Sequence, residues 1–183
     1  PAGELHQGGF YRFSYDITEL LNLGKKNQLE VKVAKESANR SINAAERKAD
    51  WWLFGGIYRP VWLEVLPQIH MKHFVLSADH KGKFQASIDM EGDAKGHEIV
   101  VSVRSLKDGK TVYTSNGQTT ITHPINNSGK EQMISGEWTN IVPWSTEAPN
   151  LYVVKLELKN PEGKIVQTRE TRIGFRTVEF FPQ

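Results

Sequence analysis

The sequence predicts an all-β protein made of antiparallel β-sandwiches. Apolar and polar residues alternate over five or more positions, which is the period of a strand with one buried face. The clearest segments are 11–15, 29–33, 61–65, 84–90, 99–103 and 152–158. Turn-forming pairs such as Asp108-Gly109 and Asn116-Gly117 separate them. Short strands between frequent turns are typical of antiparallel sandwiches.

Helix is expected to be scarce. Residues 17–23 predict one or two helical turns, with Asp16 or Thr18 as the N-cap and Gly24 just past the end. Residues 36–50 contain helix formers but no convincing apolar stripe. They predict a long surface loop, with room for a turn of helix. Such a loop in a compact β domain is usually functional or mobile.

The strand pattern divides the chain near Pro67. Residues 68–178 hold about seven strand candidates, which is the content of one immunoglobulin-like sandwich. Residues 1–67 hold only three and a long loop, too few to close a sandwich. We therefore expect the first unit to be the C-terminal part of a larger β domain. Its open strand edges favour pairing with another copy, so a homo-oligomer is expected.

Composition excludes several classes of function. The chain has 23 basic and 21 acidic residues in 183, a balance that does not indicate a nucleic-acid or membrane partner. No apolar run is long enough to span a bilayer as a helix. The absence of cysteine excludes disulfide frameworks, cysteine zinc sites and cysteine nucleophiles. Phosphate loops, dinucleotide fingerprints and nucleophile elbows are absent from the sequence, and no cofactor is expected.

Two histidines, His70 and His73, stand three positions apart. On a helix this spacing would suit a metal ion. On a strand, positions three apart face opposite sides, so the pattern predicts two separately solvated histidines. No metal site is expected.

The densest group of aromatic residues follows a carboxylate. Asp50 is followed by Trp51, Trp52 and Phe54, and then by two glycines. Aromatic faces stack on the C–H bonds of a sugar ring, and a carboxylate accepts hydrogen bonds from its hydroxyls. The alternative is that the aromatic residues belong to a core and the glycines permit a tight turn, and composition alone favours it. His6 also precedes two glycines, and faces either a ligand or solvent.

These motifs, taken in order, resemble the non-catalytic domains of family 2 glycoside hydrolases, the β-galactosidase, β-glucuronidase and β-mannosidase group. Residues 4–18 are similar to the family's H-x-G-G-[YF]-x-x-F-x-x-D-[IV]-T stretch, and residues 24–33 to its G-x-N-x-L-x-V-x-V strand. Residues 50–61 resemble D-x-x-x-x-G-G-I-[YF]-R-x-V, which ends the sugar-binding domain. Residues 138–152 resemble the W-x-P-x-x-P-x-L-Y entry of the next domain, and 174–176 its closing G-F-R.

The resemblance implies a fold and an activity. Residues 1–67 would be the C-terminal part of a galactose-binding-like jelly-roll, 68–178 an immunoglobulin-like β-sandwich, and 179–183 the start of a linker to a (β/α)8 barrel. The family's catalytic glutamates lie on that barrel, one of them after an Asn, and this sequence has no Asn-Glu dipeptide. The resemblance thus implies an inactive fragment, without catalytic residues, of a bacterial, β-galactosidase-like retaining glycosidase that hydrolyses terminal β-linked sugars when intact. It also favours a periplasmic or secreted location.

The resemblance also implies sugar contacts. Asp50 matches the family's aspartate that reaches the barrel mouth, where it would orient the sugar by hydrogen bonding to its hydroxyls. His6 is a looser match to a polar residue near that pocket, and Trp51 and Trp52 occupy variable positions at its rim. The implied partners are the carbohydrate substrate and the catalytic barrel in cis. The alternatives are a free-standing carbohydrate-binding or adhesion module of two β domains, and a purely structural interaction module.

Overall fold

The computed structural model describes residues 1–48 and 55–181. The chain divides into two compact units, Pro1–Leu63 and Glu64–Gln183. Within the described residues, the first unit contains a 3-10 helix (Thr18–Leu20) and a helix α1 (Arg40–Arg47), and the second contains eight strands. The division falls a few residues before the boundary expected at Pro67.

The second unit is an antiparallel β-sandwich of two four-stranded sheets. Its strands are β1 (His70–Ala78), β2 (Lys83–Glu91), β3 (Glu98–Ser105), β4 (Tyr113–Thr114), β5 (Thr120–Pro124), β6 (Glu131–Thr139), β7 (Tyr152–Lys159) and β8 (Ile165–Ile173). One sheet has the order β1-β2-β6-β4 and the other β5-β3-β7-β8. Strands β1, β2 and β6 occupy the places of A, B and E in the immunoglobulin fold, and β3, β7 and β8 those of C, F and G. The all-β, sandwich fold class is confirmed.

The core lies between the two sheets. Alternate residues of β2, β3 and β7 fill it: Phe84, Ala86, Ile88, Met90, Ile99, Val101, Val103, Val154, Leu156 and Leu158. Trp138 of β6 is fully buried, with its ring edge-on to Phe84 at 6.5 Å. The alternation in 84–90, 99–103 and 152–158 therefore predicted both the strands and their buried faces.

A tyrosine fixes the connection from β6 to β7. The Tyr152 hydroxyl accepts a hydrogen bond from the N–H of Val142 at 2.7 Å and lies 3.3 Å from its carbonyl oxygen. This is the tyrosine corner of immunoglobulin-like sandwiches. The Tyr152 ring is edge-on to Phe175 at 5.2 Å, and the Phe175 carbonyl accepts from the N–H of Trp144. Gly174 must be small, since a Cβ there would lie 2.8 Å from Trp144. Residues 174–176 are thus packed against this connection.

The prediction that His70 and His73 face opposite sides of a strand is wrong. The pairing of β1 with β2 is interrupted by a β-bulge between Met71 and His73. His70 lies opposite Glu91 and His73 opposite Asp89, on the face turned away from the core. The bulge adds one residue and so reverses the alternation after it.

The three strands predicted in the first unit are wrong as paired strands. In the described part of the chain, residues 11–15, 29–33 and 61–65 belong to no ladder. Their apolar side chains stay exposed, as Leu29 does over 70% of its surface. Alternation specifies the two faces of a strand but does not supply its neighbour, and a ladder needs both.

The two helical segments also differ in length from the predictions. The helix expected at 17–23 shortens to the 3-10 helix, preceded by Asp16, whose carboxylate accepts from the N–H and hydroxyl of Thr18. The region expected to be loop contains the two turns of α1. The Asn39 side chain caps them by accepting from the N–H groups of Ser41 and Ile42. Neither described helix is long and apolar enough to cross a membrane.

Candidate functional site

The candidate site is built on the turn formed by His6, Gln7, Gly8 and Gly9. Gly8 has φ +111°, and a Cβ there would lie 3.1 Å from the Tyr11 ring, so any other residue would be strained at this position. The Nε2 atom of His6 lies 2.8 Å from the Gly8 carbonyl oxygen, which accepts a hydrogen bond from Nε2–H in the tautomer that carries this proton. The turn therefore holds His6 through the backbone.

The imidazole ring of His6 is also held from its face. It stacks on Phe13 with 4.0 Å between ring centroids and 20° between planes. Phe13 in turn meets the edge of Tyr15 at 5.6 Å, and the Tyr15 hydroxyl donates to the Glu4 carbonyl at 2.6 Å. His6 is half-buried as a result. The orientation of the predicted sugar contact is thus fixed by its own surroundings.

Both backbone groups of Gly9 are bound by residues distant in sequence. Its N–H donates to Oε1 of Glu46 in α1 at 2.5 Å. Its carbonyl oxygen accepts from the Tyr58 hydroxyl at 3.3 Å. We call His6, Gly9, Glu46 and Tyr58 the glycine-turn cluster. The position of the turn depends on α1 through this cluster.

The segment that precedes α1 is attached to the same turn. Arg47, in the last turn of α1, donates to the Lys35 carbonyl and pairs with Glu36, both at 3.2 Å. The Ser37 hydroxyl donates to the Gln7 side-chain oxygen at 2.8 Å. Helix, preceding segment and turn are therefore one hydrogen-bonded assembly.

The structure places one of the four predicted sugar contacts. His6 lies in the glycine-turn cluster, whereas Asp50, Trp51 and Trp52 lie outside the described residues. Their role as sugar contacts stays a prediction. Sequence reasoning missed Glu46 and Tyr58, because their bonds to Gly9 cross long stretches of chain. The capping Asn39 was the one local signal that could have located α1.

The carboxyl groups with clearly shifted pKa values stabilise turns and surface pairs. The Ser105 side chain and Lys110 lower the pKa of Asp108 to about 2. The Thr18 hydroxyl and N–H lower the pKa of Asp16, and Lys72 lowers that of Glu91. A general acid or base needs a pKa near the working pH, so these groups fit structural roles. No group of three or more His, Asp or Glu suited to a metal is found among residues 1–48 and 55–181.

Comparison with known proteins gives a family match and full-chain relatives. The family model "Glycosyl hydrolases family 2" matches residues 68–176. A putative β-glucuronidase of Formosa agariphila is 28% identical over 192 residues, which cover 96% of this chain and 20% of the relative. A β-galactosidase of Thermoanaerobacter pseudethanolicus is 30% identical over 179 residues, which cover 96% and 23%. The chain spans about a fifth of the length of the curated relatives it matches.

Solved structures share the fold. Bacteroides uniformis β-glucuronidase 2, solved covalently bound to cyclophellitol-6-carboxylate aziridine, matches with a TM-score of 0.63 and 24% identity. That match covers 88% of this chain and 20% of the other. A family 2 member from Bacteroides cellulosilyticus matches with a TM-score of 0.60 and 19% identity over 91% of this chain and 22% of the other. At these identities the likeness is one of fold.

Proposed function

The chain belongs to glycosyl hydrolase family 2, and on that basis we propose that it is a non-catalytic part of a retaining β-glycosidase. The family match covers more than half of the chain, and the curated relatives are named β-galactosidase or putative β-glucuronidase. We assign a β-galactosidase-like activity to the whole protein, which would release terminal β-linked sugars. The chain itself would orient the sugar and would hold the sugar-binding domain against the catalytic domain.

The two units have different roles in this proposal. Residues 1–67 form part of a sugar-binding jelly-roll domain. Residues 68–178 act as a spacer that docks this domain against a catalytic (β/α)8 barrel, and 179–183 begin the connection to it. A rigid sandwich whose β6–β7 connection is fixed by Tyr152 suits the work of a spacer.

The glycine-turn cluster is the observation that carries the sugar-positioning role. The His6–Gly9 turn is bound on both sides of Gly9 and keeps His6 stacked on Phe13. Such fixation is what a substrate-orienting group needs, because a small displacement reduces the fraction of productive complexes.

Asp50 is the proposed main contact to the sugar. An ionised carboxylate accepts hydrogen bonds from neighbouring ring hydroxyls and holds the ring in one orientation. Trp51 and Trp52 would cover the pocket rim, where aromatic faces contact sugar C–H bonds. None of these residues transfers a proton in this scheme. A retaining mechanism needs two carboxyl groups about 5–5.5 Å apart, and we assign neither of them to this chain.

Hydrolysis of 4-nitrophenyl glycosides tests the proposal. We expect the complete gene product to hydrolyse the β-galactoside faster than the β-glucuronide and to release product with retained anomeric configuration by NMR. We expect no turnover from the 183-residue chain alone. Turnover by this chain would overturn its non-catalytic assignment. A complete gene product with no glycosidase activity would overturn the enzyme assignment and favour a free-standing carbohydrate-binding module.

A further inference from the structure

We propose that Arg176 and Thr177 are positioning residues that fix the direction in which the chain leaves the sandwich toward the catalytic domain. Residues 174–177, here called the exit segment, follow strand β8, which ends at Ile173. This role rests on the function proposed above, because a spacer orients its neighbours only if the chain leaves it at a fixed angle. The two side chains would hold that angle without touching the sugar.

The exit segment lies on Trp144 of the β6–β7 connection. The Trp144 N–H donates to the Phe175 carbonyl at 2.9 Å. The guanidinium carbon of Arg176 lies 4.9 Å from the centroid of the Trp144 ring, which is the distance of a cation–π contact. Phe175 itself is fully buried. The exit segment is therefore held here by a backbone bond, a buried ring and a stacked cation.

The β1–β2 hairpin holds the same segment at a second place. The Arg176 N–H donates to the Ala78 carbonyl at 3.1 Å. The Thr177 hydroxyl oxygen accepts from the His80 N–H at 3.4 Å and lies 2.7 Å from Nδ1 of the His80 ring. The hydroxyl donates to Nδ1 in the tautomer that carries its proton on Nε2. Because the two anchors belong to different connections, together they restrain both the position and the direction of the exit segment.

The hairpin that carries His80 is itself rigid. The Asp79 carboxylate accepts from the N–H groups of Lys81 and Lys83 at 2.8 and 3.0 Å. The Gly82 carbonyl accepts from the N–H of Trp138, whose side chain is fully buried. The hairpin is thus tied to the core, and a residue bonded to it takes a fixed position relative to the sandwich.

The attachment to the sandwich ends at Thr177. Val178, Phe180 and Phe181 are 63%, 89% and 82% exposed. Within the described part of the chain, residues 178–181 form no hydrogen bond with the sandwich. Thr177 is therefore the last fixed point before the proposed connection, and the angle at which that connection starts depends on it.

Backbone order in the 183-residue chain is the first test. From 15N relaxation we expect an order parameter of about 0.85 at the Thr177 amide, which R176A/T177V should lower below about 0.6. The control R172A/T168V makes the same changes at two exposed positions of β8 and should leave the value unchanged. T177V alone keeps the shape of the threonine and should give an intermediate value, even if the double variant fails to fold. Equal order in T177V, R176A/T177V and the wild type overturns the proposal.

Activity of the complete gene product tests the positioning role. At a temperature at which both proteins are folded, R176A/T177V should lower kcat/KM on an aryl β-galactoside by at least about threefold, and the control R172A/T168V should not. Since the proposed Asp50 contact depends on how the spacer holds its domain, D50N should cost at most about tenfold in this variant, against about 100-fold in the wild type.

A purely structural role of the exit segment would leave the two effects independent. A D50N effect of equal size in both backgrounds, or a kcat/KM unchanged by R176A/T177V, overturns the positioning role while the enzyme assignment stands. A complete gene product without glycosidase activity overturns the proposed function and this role with it.

Discussion

The backbone N–H of Gly9 donates a 2.5 Å hydrogen bond to the carboxylate of Glu46, 37 residues further along the chain. Through this bond the α1 helix fixes the turn that carries His6. The Tyr58 hydroxyl binds the carbonyl on the other side of the same glycine. The position of the predicted sugar contact therefore depends on a helix that binds the turn through the backbone of Gly9.

Removal of the Glu46 carboxylate should loosen the turn. We expect Glu46→Ala to lower the hydrogen-exchange protection of the Gly9 amide and to destabilise the first unit by about 1 kcal/mol, as expected for one hydrogen bond. Glu46→Gln keeps an acceptor without the charge and should have an intermediate effect. Glu19→Gln, an exposed position in the 3-10 helix, serves as the control. Unchanged Gly9 protection in E46A would show that α1 does not fix the turn.

The hydroxyl group of Tyr152 should contribute to the stability of the second unit. Tyr152 is 5% exposed, and Tyr152→Phe would leave the Val142 N–H without its partner. We expect a loss of about 1–2 kcal/mol in the free energy of unfolding, measured with urea. Tyr113→Phe is the matched control, because Tyr113 is 50% exposed and should change stability by less than about 0.5 kcal/mol. Equal effects of the two variants would contradict a stabilising role for the Tyr152 hydroxyl.

The backbone geometry at Gly82 should make the sandwich sensitive to an added side chain at this position. Gly82 has φ +95°, and a Cβ there would lie 2.0 Å from the Trp138 carbonyl oxygen. Gly82→Ala should destabilise the sandwich by about 2 kcal/mol or more, because strain and a backbone clash add. Gly109 has φ +72° and nothing within 4 Å of such a Cβ, so G109A should cost only the strain, about 1 kcal/mol. Thermal unfolding compares the stability of the two variants. If G82A were no less stable than G109A, the clash at Gly82 would be ruled out.

The contribution of Asp108 to stability should depend on pH in the acid range. Hydrogen bonds from the Ser105 side chain and Lys110 lower its pKa in the folded chain from 3.8 to about 2. A lowered folded-state pKa contributes stability that is complete above about pH 4 and is lost as pH falls through about 2. The stability difference between the wild type and Asp108→Asn should therefore shrink between pH 4 and pH 2. A carboxyl titration midpoint near 3.8 by NMR would contradict the turn geometry.

The sequence predicts a strand when its inward side chains are apolar. Strands β2, β3 and β7 meet this condition. Strand β6 places Gln132 and Gly136 inward, where Gln132 is 5% exposed and bonded to the Gly129 carbonyl. Strand β8 likewise places Gln167 inward, bonded to the backbone of Met71. Hydrogen bonds to the backbone satisfy both of these inward glutamines, so β6 and β8 lack a fully apolar inward face and local alternation does not reveal them.

In the candidate site, too, the local sequence pattern predicts only part of the structure. The glycine pair and His6 are visible as a local pattern, and the φ of +111° at Gly8 agrees with its being a glycine. The bonds that position the turn come from Glu46 and Tyr58, which no local spacing connects to Gly9. In the first unit, alternation at 29–33 specified faces but no partner. Pairing over long separations depends on the whole fold, which a local pattern does not contain.

In the proposed function, Asp50 orients the sugar in a family 2 β-glycosidase. The most direct measurement is kcat/KM of the complete gene product on an aryl β-galactoside, for the wild type, Asp50→Asn and the control Asp93→Asn. Asp93 lies in a turn of the second unit, where its carboxylate caps the N–H of Lys95, and Asn can replace it. We predict a fall of at least about 100-fold for D50N, with an unchanged pH profile and melting temperature, and no change for D93N. A D50N enzyme with wild-type kcat/KM, or one that loses activity only by unfolding, would contradict the claim.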